Sequence, residues 1–294
     1  MPTTFDTPEP ISVTLELAVA QIQVVATDRR DTVVDVRPSD PSKKSDVAAA
    51  RQTRVEYANG ALLVRSPKGW RQWAPWGPWG SESIDLHIEL PSGSAVRGAA
   101  GVGAIRCTGR IGECRYRSGA GDVSLEHAGP VEIKSGIGAV TVDEVAGPAD
   151  VKTAGAVRIE RIDGRASIKN ANGDTWIGEV TGEARVQAAN GAIAVDVAGA
   201  GVEAKTANGS VRIGEVARGS VVAQSAMGAL DIGVREGVPA WLDLDTRFGT
   251  VHSDLDAAER PQPDEEAVQV YARTATGDIT VHRSLRNGMG KDEA

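Results

Sequence analysis

The sequence predicts an all-β protein, a right-handed parallel β-solenoid with coils of ~18 residues behind a degenerate, strand-rich N-terminal cap. Three observations predict it. A phrase of ~18 residues recurs, apolar residues alternate at period two inside each copy, and rings are scarce. Of 294 residues, 34 are Gly and 41% are hydrophobic, yet only 4% are aromatic, with 3 Tyr and 2 Phe.

The repeat is clearest from Ser118. The segment Ser118–Lys134 is followed by Ser135–Lys152, and the phrase returns at Thr153–Lys169, Asn170–Gln187, Ala188–Lys205 and Thr206–Gln224. One glycine keeps the register: Gly103, Gly121, Gly138, Gly155, Gly173, Gly191, Gly209 and Gly228, at intervals of 18, 17, 17, 18, 18, 18 and 19. Weaker copies restart at Gly249 and Gly277, and a second glycine falls near mid-repeat, as at Gly129, Gly147 and Gly164. Val123/Leu125 then Val131/Ile133, and Val140/Val142 then Ala149/Val151, alternate with polar residues, which is strand periodicity with one buried face. Two strands of about 4–5 residues, each ended by Gly, fit one coil, whereas helices of 10–12 residues do not. Coils stacked about 4.8 Å apart turn equivalent positions into columns. Inner columns of Val, Ile, Leu and Ala fill a thin interior that has little space for rings. A β-sandwich or barrel competes, but it predicts uneven strand spacing and does not require one register over eight copies. The right hand follows from the general hand of strand–crossover–strand connections.

Residues 1–100 alternate without the clean repeat: Ile11/Val13/Leu15/Leu17/Val19, Ile22/Val24, Val33/Val34/Val36, Leu62/Val64, then Ile84/Leu86/Ile88/Leu90. Terminal solenoid repeats are atypical because they cover an end. This region is therefore expected to be the cap and irregular first coils, with a short helix within Ser45–Val55 and a Trp-rich loop at 70–79. Regular coils fill 101–283, interrupted by a Pro-rich acidic loop at 257–267. Residues 284–294 are expected to form a disordered tail.

A net charge of −8 disfavours a nucleic-acid partner. No window approaches ~18 consecutive apolar residues, so any membrane contact is not made through a transmembrane segment. The stretch Met1–Asp6 has no charged n-region or apolar h-region. A cytoplasmic location, on the inner face of the envelope if membrane-associated, is the expectation. Cys107 and Cys114 make neither a disulfide framework nor a metal site, since CxxC is lacking and His87, His127, His252 and His282 are scattered. Cys107 falls in the Leu125/Val142/Ile159 column and Cys114 in the Val131/Ala149/Ala166 column, so both are expected as reduced inward fillers. No cofactor or metal is implied.

The pattern Ser-Gly-x-Gly-Asp-Val-x-Leu, recurring at ~18 residues after a strand-rich region ending in Leu90-Pro-Ser-Gly93, resembles the bacterial putative-adhesin β-strand-repeat family. That family is a domain of unknown function related to the toastrack domains of envelope stress systems. The resemblance runs from about Ile11 to Val281. It implies a β-solenoid and a non-catalytic interaction role, and brings no catalytic residues with it.

Three features stand out as candidate sites. Trp70, Trp73, Trp76 and Trp79 are spaced by three, and Pro75 and Pro78 favour extended or polyproline-II geometry in which every third residue shares a face. Such a stripe suits a protein or glycan partner; alternatively it folds back and plugs the solenoid. A basic column, Arg117, Lys134, Lys152, Lys169 and Lys205, closes successive repeats as a ridge suited to a polyanion or anionic lipid surface. Glu132, Asp150 and Glu203 stand two residues earlier on the same face and offset it, while Glu126, Asp143, Glu160 and Asp196 form an acidic column. Asn172, Asn190 and Asn208 precede register glycines and read as turn residues able to form an amide ladder.

GxSxG, P-loop, HExxH and calcium-binding nonapeptide motifs are all lacking. Carboxylates for glycoside cleavage could be drawn from the acidic column, but no insertion builds a cleft beside them. The expected function is a non-catalytic interaction or scaffold protein linked to envelope stress or surface assemblies. The alternatives are a self-assembling structural solenoid and a carbohydrate-active β-helix enzyme.

Overall fold

The computed structural model describes residues 2–66, 82–255 and 267–284. The loop expected at 257–267 and the tail expected at 284–294 lie outside the described residues, apart from Ala267 and Ser284. The chain forms two compact units, Met1–Asn172 and Gly173–Ala294.

The first unit begins with β1 (Thr3–Asp6), β2 (Ser12–Thr27), β3 (Asp31–Pro38), α1 (Lys44–Gln52), β4 (Arg54–Ala58), β5 (Ala61–Arg65) and β6 (Ile84–Pro91). It continues with β7 (Ala95–Arg110), β8 (Cys114–Ala120), β9 (Val123–Ala128), β10 (Val131–Ile137), β11 (Val140–Val145), β12 (Ala149–Thr153), β13 (Val157–Ile162) and β14 (Ala166–Asn172). From β8 onward the chain alternates between two parallel faces, β8–β10–β12–β14 and β9–β11–β13. Strands β2 and β7 serve both faces. The first half of β7 pairs with β8 and its second half with β9, while β2 pairs along the whole of β7. Before β7 the antiparallel pairs β1–β3, β3–β6 and β4–β5 join the parallel pairs of β2 with β5 and β6. Phe5 on β1 lies against Tyr57 on β4, ring centroids 5.2 Å apart, so these two edge strands are tied together. The helix expected within Ser45–Val55 is α1; its Asp46 pairs with Lys43 at 3.2 Å and accepts the Ser83 amide.

The second unit comprises β15 (Thr175–Val180), β16 (Ala184–Asn190), β17 (Ile193–Ala198), β18 (Val202–Asn208), β19 (Val211–Val216), β20 (Gly219–Met227), β21 (Leu230–Val234), β22 (Ala240–Phe248), β23 (Val251–Ser253), β24 (Val268–Thr276) and β25 (Ile279–Arg283). Its faces run β16–β18–β20–β24–β22 and β15–β17–β19–β21–β25–β23, all parallel. The last two coils are thus stacked out of chain order: β24 and β25 slot between β20/β21 and β22/β23. Packing explains the choice. Val268, Val270 and Ala272 are small and fully buried, matching Val221 and Ala223 below them, whereas β22 brings Trp241, Leu242 and Leu244 and is left outermost.

In both units the inner columns are the expected aliphatics. Leu125, Val142 and Ile159 align in the first, and Val195, Ile213, Ile232 and Val281 in the second, each at most 1% exposed. Each such side chain contributes roughly 1.5–3 kcal/mol over its exposed state. Tyr116 is the large exception, and Gly98 makes room for it: a Cβ there would strike its ring. Its hydroxyl donates to the Gly103 carbonyl at 2.8 Å.

The coil corner is set by the register glycines. Gly138 has φ +148° and a Cβ on it would fall onto the Gly121 carbonyl oxygen; Gly209, at φ +147°, stands the same way over Gly191. Hydroxyls fasten several of these corners to the coil beneath. Thr153 donates to the Gly138 carbonyl at 2.9 Å, Thr206 to Gly191 at 3.1 Å, Ser225 to Gly209 at 2.8 Å and Thr274 to Gly228 at 3.0 Å. The aspartate after the glycine works upward: Asp122 accepts the Ala139 amide and Asp174 the Ala192 amide, both at 2.8 Å.

These contacts predict unequal costs for two Gly→Ala changes. Gly60 also has positive φ (+74°) but nothing within 4 Å of its Cβ position. Gly60→Ala should cost about 1 kcal/mol, the backbone strain alone, and Gly138→Ala about 3 kcal/mol or more, because coil spacing must also yield. Urea unfolding of the two variants checks this; equal costs would refute the close-stacking account.

Candidate functional site

The basic column lies where its spacing put it. In the first unit Arg117, Lys134, Lys152 and Lys169 are register partners on β8, β10, β12 and β14; in the second Lys205 aligns with Gln187 and Gln224. The ridge is largely neutralised by its own strands. Glu132 takes Lys134 at 2.5 Å and Arg117 at 3.5 Å, Asp150 takes Lys152 at 4.0 Å, and Glu203 takes Lys205 and Arg185, each at 2.7 Å. Lysine and carboxylate two residues apart thus pair along β10, β12 and β18, and Lys169, two residues after Ser167, is the member of the ridge without an ion pair among the described residues, so little net field is left for a polyanion. Asn208 donates to the Asn190 side chain at 2.8 Å, so these two positions do form an amide ladder.

Both thiols are interior. Cys107 aligns with Leu125, and Cys114 with Val131, which in turn aligns with Ala149. They are 1% and 0% exposed and free. Burial pushes the Cys114 thiol up to about 12 and that of Cys107 well above its ordinary value, so neither is a nucleophile at neutral pH.

Two surface features interrupt the ion-paired pattern, both in the first unit. The first is an open groove of about 840 Å³ across β3, β6, β2, β7 and β9. A polar row crosses it, Asp35–His87–Gln23–Arg106–Ser124, each residue the register partner of the next. Asp35 is held by Arg37 at 2.5 Å and His87 by Glu89 at 3.2 Å, whereas the Arg106 guanidinium has no partner among the described residues. Sequence reasoning missed this row because its members come from five strands whose pairing no repeat announces. The second feature is an apolar strip at the coil corner. Val102, Ala120 and Ile137 are register partners immediately before the glycine column, and Val102 and Ile137 are 41% and 68% exposed. With Val19 and Ser83 they line a shallow groove of about 370 Å³. Trp70, Trp73, Trp76 and Trp79 lie outside the described residues.

Among the described residues no cluster of His, Cys, Asp or Glu could hold a metal ion, and no helix is long and apolar enough to cross a membrane.

The Toastrack DUF4097 family model matches residues 12–284. No curated protein matches the chain. Among solved structures, a putative adhesin from Parabacteroides merdae is similar at 9% identity and TM-score 0.40, over 96% of this chain and 95% of that one. A putative adhesin from Bacteroides fragilis is similar at 10% identity and TM-score 0.33, over 96% of both chains. A putative lipid binding protein from Parabacteroides distasonis is similar at 10% identity and TM-score 0.30, again over 96% of both.

The ion pairs make acid stability testable. Glu132 is held below the usual carboxylate range by Lys134, and Glu203 by Lys205 and then Arg185. A lowered folded value means the unfolded chain binds protons more readily, so this stability is full above the ordinary carboxylate range of ~4.3 and drains away as pH falls through the lowered values. Thermal midpoints should be flat from about pH 6 to 8 and fall steeply below about 4.5. Glu203→Gln should lower the midpoint at neutral pH and flatten its acid limb. A variant with an unchanged acid limb would refute the assignment.

Proposed function

We propose, from the premise that the chain belongs to the Toastrack DUF4097 family, that it is a non-catalytic interaction module which holds a partner on the rigid face of its repeats. The observation that carries this reading is the apolar strip Val102–Ala120–Ile137, with Val102 and Ile137 exposed, beside coils in which many of the surface charges are paired. Monomeric proteins rarely leave aligned apolar side chains at such exposure without a binding role. Ser83 on the rim of the same groove follows shortly after Trp79 in the chain, which supports the tryptophans Trp70, Trp73, Trp76 and Trp79 as part of the same contact. The partner is a protein with an apolar patch, in a scaffold serving envelope stress or surface assemblies. Two buried, unpaired thiols fit a reducing compartment, so the proposed location is the cytoplasm or the inner face of the envelope.

A glycan is the second reading, and the row His87–Gln23–Arg106–Ser124 favours it: donors and acceptors repeat at strand spacing on an open groove.

Affinity capture from the native host tests the first reading with three baits: wild type, Ile137→Lys, and a variant carrying Trp70→Ala, Trp73→Ala, Trp76→Ala and Trp79→Ala. A shared partner should be lost by about tenfold or more with Ile137→Lys, a surface change that leaves the fold intact. Equal recovery by all three baits sinks the reading. A glycan array probed with wild type and Arg106→Ala decides the second.

A further inference from the structure

The outermost coil of the second unit is open. Strand β22 pairs with β24 and β23 with β25, and among the described residues neither has a strand on its other side. The nine residues Ala240–Phe248 therefore present a row of unpaired backbone donors and acceptors. The core shows at the same edge. In the column Val211–Leu230–Ile279–Val251 the first three residues are at most 1% exposed and the last is 48% exposed. Leu242, aligned with the fully buried Val270, is only part-buried, and Phe248 at the corner is 73% exposed.

The edge also has a charge code. Leu242 and Leu244 point inward, and Trp241, Asp243, Asp245 and Arg247 form the outward row that alternates with them. Trp241 packs on Tyr271 at 5.3 Å between centroids, Asp243 reaches Arg273 at 3.4 Å, and Asp245 has no partner among the described residues. A second copy of β22 continuing the parallel ladder in register would set Asp243, Asp245 and Arg247 each against its own like. This chain's own segment Asp256–Glu266 is unsuited by sequence: Pro261 and Pro263 lack the N–H a ladder needs, and it adds acidic residues to an acidic edge. Leu285–Ala294, with Gly288 and Gly290, has weak strand propensity.

The geometry points to a β-strand-addition site on β22, filled by an extended segment of another protein in which apolar residues alternate with Lys or Arg. The apolar residues continue the Leu242 and Leu244 columns over the open core. The basic ones face Asp243 and Asp245, and the backbone completes the ladder. This site is separate from the apolar strip and the tryptophans proposed above, so either can fail alone.

The test uses the full chain and three labelled nine-residue peptides, read by fluorescence anisotropy at physiological salt. One alternates Lys and Val, one alternates Glu and Val, and one is the Lys-Val sequence with alternate backbone nitrogens methylated. The Lys-Val peptide should bind at least about tenfold tighter than the Glu-Val peptide, and the preference should invert in the Asp243→Lys, Asp245→Lys double variant. N-methylation keeps every charge but should weaken binding about tenfold or more. Asp143→Lys with Glu160→Lys, on the acidic column of the first unit, should leave binding unchanged. Binding that survives N-methylation, or a preference that does not invert, overturns the proposal. So does sedimentation showing a dimer that excludes the peptide, which would give the edge to a second copy.

Discussion

The structure depends on how closely one coil approaches the next at the glycine corner. At Gly138 and its equivalents the carbonyl of the coil beneath occupies the space a Cβ would need, and at Gly121, Gly138, Gly191, Gly209, Gly228 and Gly277 a positive φ turns the chain as well. Every other contact is tuned to that spacing. The hydroxyls of Thr153, Thr206, Ser225 and Thr274 reach the coil beneath only because its carbonyl is so near, and Asp122 and Asp174 meet the amides of the coil above for the same reason. A corner that would otherwise leave buried backbone groups unpaired is satisfied twice, from below and from above.

The same spacing decides what can fill the interior. With two faces held close, Val, Ile and Ala pack in columns, and Cys107 and Cys114 serve as small apolar fillers, their burial raising both thiols. The single large ring among the fully buried side chains of the described residues, Tyr116, is admitted because Gly98 gives up its side chain opposite and the Gly103 carbonyl receives its hydroxyl. On the outside, stacking like residues would set lysine over lysine at strand spacing. Carboxylates two residues earlier on the same strands cancel that repulsion, which is why the Glu132–Lys134 and Glu203–Lys205 pairs recur.

Much of this was legible in the sequence. The register glycines gave coil length, the period-two alternation gave the inner columns, and the Asn190–Asn208 ladder followed from stacking. The hydroxyl column was in view as well: Ser135, Thr206, Ser225 and Thr274 each stand three residues before a register glycine, a spacing whose meaning appears only once the carbonyl beneath is known. Other parts could not be read. The polar row Asp35–His87–Gln23–Arg106–Ser124 depends on β2 and β7 each spanning both faces, which no repeat announces. The exchange of the last two coils was hidden because a weak copy at Gly249 and another at Gly277 look equivalent in order. Only side-chain size and burial tell which sits inside.

The repeat therefore locates the binding surfaces by where it fails. Within regular coils many charges are paired on the same or the next strand, several corner carbonyls take a hydroxyl and the inward apolar side chains stack in columns, so less is left to recognise a ligand. At Val102, Ala120 and Ile137 the corner position that holds Asn190 and Asn208 in the second unit is instead apolar, with Val102 and Ile137 exposed. At β22 the column simply ends, with Val251 and Phe248 in water and one ladder edge open. A frame that satisfies itself over most of its coils directs recognition to such interruptions, and each is a place where the chemistry of a partner can be stated from the residues left unsatisfied.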